Sequence, residues 1–238
     1  VEIGSYMGRS TCFLAAGSMR THRERVTAID HFAGSPEHQK GAFVESETIV
    51  QEGTTFNRFK ANIESKDVAE YVDPIVADSR TAAASWNKPI RLLFIDGDHS
   101  YEASKADFEA WAPWLIPGGC VCFHDINGWP GVTRFLRELL DSSPEYELAL
   151  LVQSLAVVLK KSGPEHGAEQ SLKPLFASLE PVYDYVNVSF AFAGFLGRLH
   201  PVEGYLLKLL AAEGPGIGEI VDLEIGRASC RERVYCEV

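Results

Sequence analysis

Short apolar runs at residues 26–29, 74–77, 91–95 and 120–123 alternate with segments of helical periodicity, and this alternation leaves the chain few folds to choose from. Each run is bounded by turn residues and reads as a buried strand. After the fourth run Val132, Phe135, Leu136, Leu139 and Leu140 make an i, i+3, i+4, i+7, i+8 stripe, and Phe108 with Trp111 do likewise after the third. Residues 146–152 and 154–159 are too close together for a helical crossover, which predicts an antiparallel pair at the end of the sheet. The expectation is an α/β fold, a Rossmann-like sheet that is mostly parallel with a terminal antiparallel hairpin.

Both ends of the chain qualify this reading. Val1-Glu2-Ile3-Gly4 reads as the close of a buried strand running straight into a glycine turn, so residues 1–161 are expected to be a core that lacks its N-terminal elements. Residues 224–234, EIGRASCRERV, resemble a translated sequencing adapter, and residues 224–238 are set aside for that reason. Between these parts, residues 162–223 hold a linker-like stretch at 162–170 and an amphipathic segment at 201–212. In that segment Tyr205, Leu206, Leu209 and Leu210 fall at helical spacing. Residues 218–223, GEIVDL, echo Val1-Glu2-Ile3, so two alternatives stay open for this region. It is either the start of a second copy of the domain or a helical extension covering the site or a dimer surface.

A chain of 238 residues, 46% apolar, is long enough for one sizeable core. The net charge of -11 opposes a nucleic-acid or anionic-membrane partner and favours a small or neutral one. No apolar stretch reaches the ~20 residues of a membrane span. Cys12, Cys120 and Cys122 lie in apolar runs without metal-ligand spacing, as reduced thiols of a cytoplasmic protein would.

The first motif is Glu2-Ile3-Gly4-Ser5-Tyr6-Met7-Gly8-Arg9-Ser10-Thr11: strand end, glycine turn, then a helix start capped by Ser10 or Thr11. Gly4 and Gly8 allow close backbone approach to a ligand, and Glu2 can accept hydrogen bonds from a cationic amino group. This suits the methionine half of S-adenosylmethionine better than a pyrophosphate, and the spacing fails the G-x-G-x-x-G dinucleotide fingerprint. A glycine turn needed only to join strand to helix is the bland alternative. Asp30, at the end of the second strand, can bind both hydroxyls of a ribose or simply cap a helix, and Asp78-Ser79 repeats the pattern where an adenine amino group can be read.

Together with Ile95-Asp96-Gly97-Asp98-His99-Ser100-Tyr101 and Pro117-Gly118-Gly119 through His124-Asp125, the first motif resembles the class I S-adenosylmethionine-dependent methyltransferases related to catechol O-methyltransferase and the macrolide sugar O-methyltransferases. The resemblance covers residues 1–161. It implies that Glu2, Gly4, Ser5, Tyr6, Gly8, Ser10, Asp30, Asp78 and Ser79 line the cofactor site.

Methyl transfer is an in-line displacement on a sulfonium, so the protein must hold the nucleophile and dispose of its proton. Asp96 and Asp125 end neighbouring strands, where two carboxylates suit Mg²⁺, and the similar relatives hold a divalent metal with acidic residues there. This sequence departs at His124, where those relatives carry another carboxylate. The metal set is therefore Asp96, Asp125 and His124, with metal dependence open. His99 is the natural general base, with Asp96 beside it, or else it serves the start of the helix near Tyr101. Trp129 and Pro130 line the acceptor pocket or pack as an anchor. The leading expectation is O-methylation of a small-molecule or sugar hydroxyl, with S-adenosylmethionine as cofactor and a homo-oligomer as an open possibility. The alternatives are a metal-independent N-methyltransferase and a non-catalytic cofactor-binding module of a tandem protein.

Overall fold

The computed structural model describes residues 1–161 and 201–213. The linker-like stretch, the strand-like echo at 218–223, the adapter-like residues and Cys230 and Cys236 lie outside the described residues.

Seven strands form one sheet in the order β3-β2-β1-β4-β5-β7-β6. They are β1 (Glu2–Ile3), β2 (Val26–Asp30), β3 (Val72–Val76), β4 (Ile90–Ile95), β5 (Leu115–Phe123), β6 (Tyr146–Val152) and β7 (Leu155–Lys160). The first five are mutually parallel, and β7 enters antiparallel between β5 and β6. The expected Rossmann-like sheet with a closing hairpin is thus present. Strand order reverses about β1, which pairs with β2 on one side and β4 on the other, and ligands of such sheets bind beyond the carboxyl ends at this switch point.

The period-2 alternation of the strands explains why both faces are covered. Leu92, Phe94, Cys120, Cys122, Leu155 and Val157 turn to one core, while Leu93, Ile95, Val121, Phe123, Ala156 and Val158 turn to the other. The second core is closed by α4 (Ser79–Ala83), α5 (Tyr101–Trp111) and α6 (Pro130–Ser142). In α6 the stripe buries Val132, Phe135, Leu136 and Leu139. The first core is closed by α1 (Arg9–Arg20), α3 (Phe56–Ser65) and α7 (Pro201–Glu213), with the short α2 (Glu47–Glu52) before α3.

Two strand starts differ by more than one residue from those read in the sequence. β3 starts at Val72, and β5 starts at Leu115 rather than 120. Pro117-Gly118-Gly119 reads as a turn, yet the chain there stays in the strand. The extra residues are absorbed by a register shift opposite Arg91, with Gly118 at φ 77°.

The amphipathic segment near residue 205 is a helix, α7, seated on α1. Leu206, Leu207, Leu210, Ala211 and Ala212 are buried, as is Glu203, while Tyr205 and Leu209 are only partly covered. The two helices approach so closely that a Cβ on Gly17 would overlap the Lys208 carbonyl. The C-terminal carbonyls of α7 are claimed by the body of the domain. Arg91 donates to Leu210 and Ala211, both at 2.7 Å, and Thr21 (2.9 Å) and Arg23 (3.1 Å) donate to Ala212. No helix among the described residues is long and apolar enough to cross a membrane.

Candidate active site

The glycine turn after β1 is built around a buried acid. Glu2 has no exposed surface and accepts hydrogen bonds from Ser5 (2.8 Å), Ser10 (2.5 Å) and Thr11. The expected capping by Ser10 or Thr11 is therefore corrected. The N-cap of α1 is Gly8, at φ 84° and without a side-chain cap, because the sealed carboxylate needs those hydroxyls more than the solvated helix end does. In this structure the Glu2 carboxylate is sealed and meets only these three hydroxyls.

Above it the turn is fixed from the side. Asp30 accepts the amide of Tyr6 at 2.7 Å and that of Phe32 at 2.6 Å, so it links the turn after β1 to the end of β2. The Tyr6 hydroxyl meets Ser46 at 2.6 Å, and its ring stacks on His38 at 4.8 Å. Tyr6, Phe32 and Asp125 all have positive φ, at 47°, 56° and 60°. Non-glycine residues held this way at the ends of three strands concentrate strain along one edge, as functional sites do. Asp78 instead caps α4 through the amides of Arg80 and Thr81, and Ser79 accepts the indole N–H of Trp111 at 2.9 Å. Both of these side chains are engaged in holding α4 in place.

At the ends of β4 and β5 four side chains converge. His99 Nδ1 lies 2.9 Å from Glu37, and its Nε2 lies 3.2 Å from Asp125 and 3.7 Å from Asp96. His124 Nδ1 lies 3.0 Å from Asp96 and 3.4 Å from Asp125, and its Nε2 lies 3.1 Å from Glu203 of α7. Trp129 stacks on His99 at 4.8 Å, so it anchors the imidazole. The cap of α5 is Ser100, not His99, and Asp98 accepts the Ser100 amide at 2.8 Å.

The family model described as a methyltransferase domain matches residues 1–126, more than half of the chain. The chain belongs to this methyltransferase family. A curated relative, the uncharacterized protein y4gI of Sinorhizobium fredii (strain NBRC 101917 / NGR234), is 34% identical over 154 residues, or 60% of this chain. The chain spans 15% of that relative's length. Among solved structures, the O-methyltransferase NovP is 18% identical with a TM-score of 0.54, over 68% of this chain and 71% of its own. Cofactor-bound Rv0187 from MTB is 18% identical with a TM-score of 0.50, over 68% of this chain and 72% of its own. These two likenesses concern the fold.

In this member of the family the charges of the cluster follow from its geometry. Burial works against a charged His99, but the carboxylates of Asp125, Asp96 and Glu37 facing it outweigh this and hold the imidazole at about 11. Burial likewise opposes charge on His124, and Asp96, Asp125 and Glu203 overturn it, holding the ring well above the ordinary histidine value. Asp96 and Asp125 stay below the usual carboxylate range despite burial, because His124 and His99 face them.

The donor set fits a divalent cation. Ligand atoms of Asp96, His124 and Asp125 all lie within 4.8 Å of one another, and His99 Nε2 beside them is a buried polar atom without a hydrogen bond. Ligands at about 2.1 Å from one ion stand roughly 3 Å apart when adjacent, close to the 3.0 and 3.4 Å found here. The Asp30 carboxylate, fixed and only slightly exposed, fits a nucleoside's ribose hydroxyls.

Glu37, Ser154 and Glu203 were not identified from the sequence. No motif spacing points to them, since chain folding alone brings Glu37 to His99 and Glu203 to His124. Ser154 sits in the β6–β7 turn, visible in the sequence only as a hairpin.

Burial pushes Glu2 up to about 7, the three hydroxyls offsetting part of it. A folded-state value above the ordinary 4.5 means that its stabilising contribution is complete below about pH 4.5 and is lost as the pH rises through about 7. The loss is on the order of 3 kcal/mol. Thermal melts of Glu2→Gln, which has no such proton to lose, are expected to gain on the wild type from about pH 4.5 to 7 and then to keep a constant margin. A gap that does not change with pH would contradict this assignment.

Proposed function

We propose that the chain binds S-adenosylmethionine and methylates a hydroxyl of a small molecule or sugar. The observation that carries this reading is His99: an imidazole gripped by Glu37 on one nitrogen, with its other nitrogen buried and without a hydrogen bond beside Asp96 and Asp125. It stands at the switch point, where the Gly4 turn packs on the Asp96 backbone.

In this reading the turn at Gly4–Gly8 and Asp30 hold the nucleoside and the amino-acid portion of the cofactor, with Glu2 stiffening the turn from below. Asp96 and Asp125 would hold a divalent cation with His124. The cofactor supplies an electrophilic methyl on a sulfonium, and the cation supplies positive charge that acidifies an acceptor hydroxyl. His99 takes the hydroxyl proton on Nε2, while Glu37 keeps the ring oriented through Nδ1 and Trp129 keeps it in plane. Orientation is the larger part of the work, because a displacement at carbon demands an in-line approach.

Calorimetric titration with S-adenosylhomocysteine tests the reading. The folded chain is expected to bind it, and Asp30→Ala to bind at least about tenfold more weakly, since a ribose contact and the anchor of the Tyr6 amide go together. Folded wild-type chain that does not bind sinks the proposal.

A further inference from the structure

The connection between His124 and α7 has no part in the fold of the sheet, yet it is built in detail. Glu203 has no exposed surface. Its Oε1 accepts both the amide of Ser154 (2.9 Å) and the Ser154 hydroxyl (2.7 Å), which turns Oε2 toward His124 Nε2 at 3.1 Å. With Oε1 already accepting twice, Oε2 is placed to accept from a hydrogen on His124 Nε2. On a neutral ring that leaves the Nδ1 lone pair aimed at Asp96 Oδ1 and Asp125 Oδ1, at 3.0 and 3.4 Å. At that spacing the three atoms are held together either by a proton on Nδ1 or by a metal ion that takes the proton's place.

We propose that Glu203 fixes the tautomer of His124 so that Nδ1 joins Asp96 and Asp125 as a ligand, making a mixed nitrogen and oxygen centre that prefers Mn²⁺ or Co²⁺ to Mg²⁺. A histidine ligand is regularly oriented by a carboxylate on its other nitrogen, and this partner sets ring direction and basicity. Imidazole suits first-row transition ions, whereas Mg²⁺ favours oxygen ligands and retains its waters. His99 Nε2, at 3.2 Å from Asp125 and without a hydrogen bond, stays beside the centre for proton transfer. The inference rests on the methyl-transfer reading of this site, but its test reads metal binding directly.

The experiment titrates the chain with Mn²⁺, followed by loss of the free-ion electron paramagnetic resonance signal, and with Mg²⁺ by calorimetry. Pulsed resonance on the Mn²⁺-loaded chain then looks for nitrogen coupling. Mn²⁺ is expected to bind at least about tenfold more tightly than Mg²⁺, with a directly bound nitrogen in the spectrum. Glu203→Gln, which can donate to Nε2 and so reverse the tautomer, is expected to weaken Mn²⁺ by about 10- to 100-fold. It should leave S-adenosylhomocysteine binding unchanged, so a fault in the cofactor site is told apart from a fault in this centre. His124→Asp should lose the nitrogen coupling and bring Mg²⁺ within a few-fold of Mn²⁺. Equal affinities in the wild type, absence of nitrogen coupling, or full Mn²⁺ affinity in Glu203→Gln each overturns the proposal. Failure to bind either ion overturns it too, because His124 is then an imidazolium that takes the cation's place.

Discussion

Gly4→Ala is expected to leave little folded protein. At φ 82° an alanine costs about 1–2 kcal/mol from the backbone alone, and its Cβ would overlap the carbonyl of Asp96 and crowd the Gly97 amide. A flexible side chain could move aside, but these are backbone atoms at the end of β4. They are held by the Asp96 amide on Ile3 (2.8 Å) and by the His124 amide on Ile95 (3.1 Å). Relief therefore requires parting β1 from β4, the central pair of the sheet. The combined cost is about 4 kcal/mol or more, a large share of the 5–15 kcal/mol that stabilises a domain. At ~2–4 °C per kcal/mol, the unfolding midpoint should fall by about 10 °C or more. Gly41→Ala is the control: it has a similar φ of 81° but open space around it, so it should show the backbone cost alone. A Gly4→Ala melt that matches Gly41→Ala would refute the clash.

His99→Gln is expected to lower kcat by about 10²- to 10⁴-fold with any hydroxyl acceptor that the wild type turns over, while affinity for S-adenosylhomocysteine is kept. The amide keeps most of the shape of the ring and its contact with Glu37 but cannot accept a proton at neutral pH. The pH profile separates this role from a structural one. A base works in its unprotonated form, present above its pKa, so wild-type activity is lost as the pH falls through that value. Without a cation the surrounding carboxylates hold His99 at about 11, so the rising limb should lie far into the alkaline range. Positive charge on Asp96 and Asp125 should bring it down. The variant should lack this limb altogether. A kcat within threefold of the wild type, or an unchanged profile, removes His99 from proton transfer.

The scaffold was legible where burial imposes a period. The strand cores of β2 and β4, the stripe of α6 and the closing hairpin are all visible as spacing, because one side chain in two or in 3.6 must face a core. The start of β5 was not legible. Proline and two glycines signal a turn locally, but pairing with β4 keeps them extended around a register shift.

In the site, Asp30, Asp96 and Asp125 stood out because the ends of parallel strands all point to one edge. Ser10 was misread as a cap because Glu2 below it, once buried, is the stronger claimant. Glu37 and Glu203 carry no local signal at all. Each matters only through a histidine that the fold brings to it, one at the glycine-turn side and one from beyond the sheet.

Among the described residues all seven strands are complete by Lys160, while the acid that meets His124 arrives with α7. During synthesis the sheet can therefore close first, with the Arg91 guanidinium lacking its carbonyl acceptors on Leu210 and Ala211 and with His124 Nε2 lacking Glu203. A nascent chain or a fragment ending between residues 162 and 200 would carry all the strands of the sheet but a first core uncovered on the α1 side and an unfinished centre. Docking of one helix thus ties the cluster to the chain beyond the sheet, since His124 acquires this partner only once the chain has been made through α7.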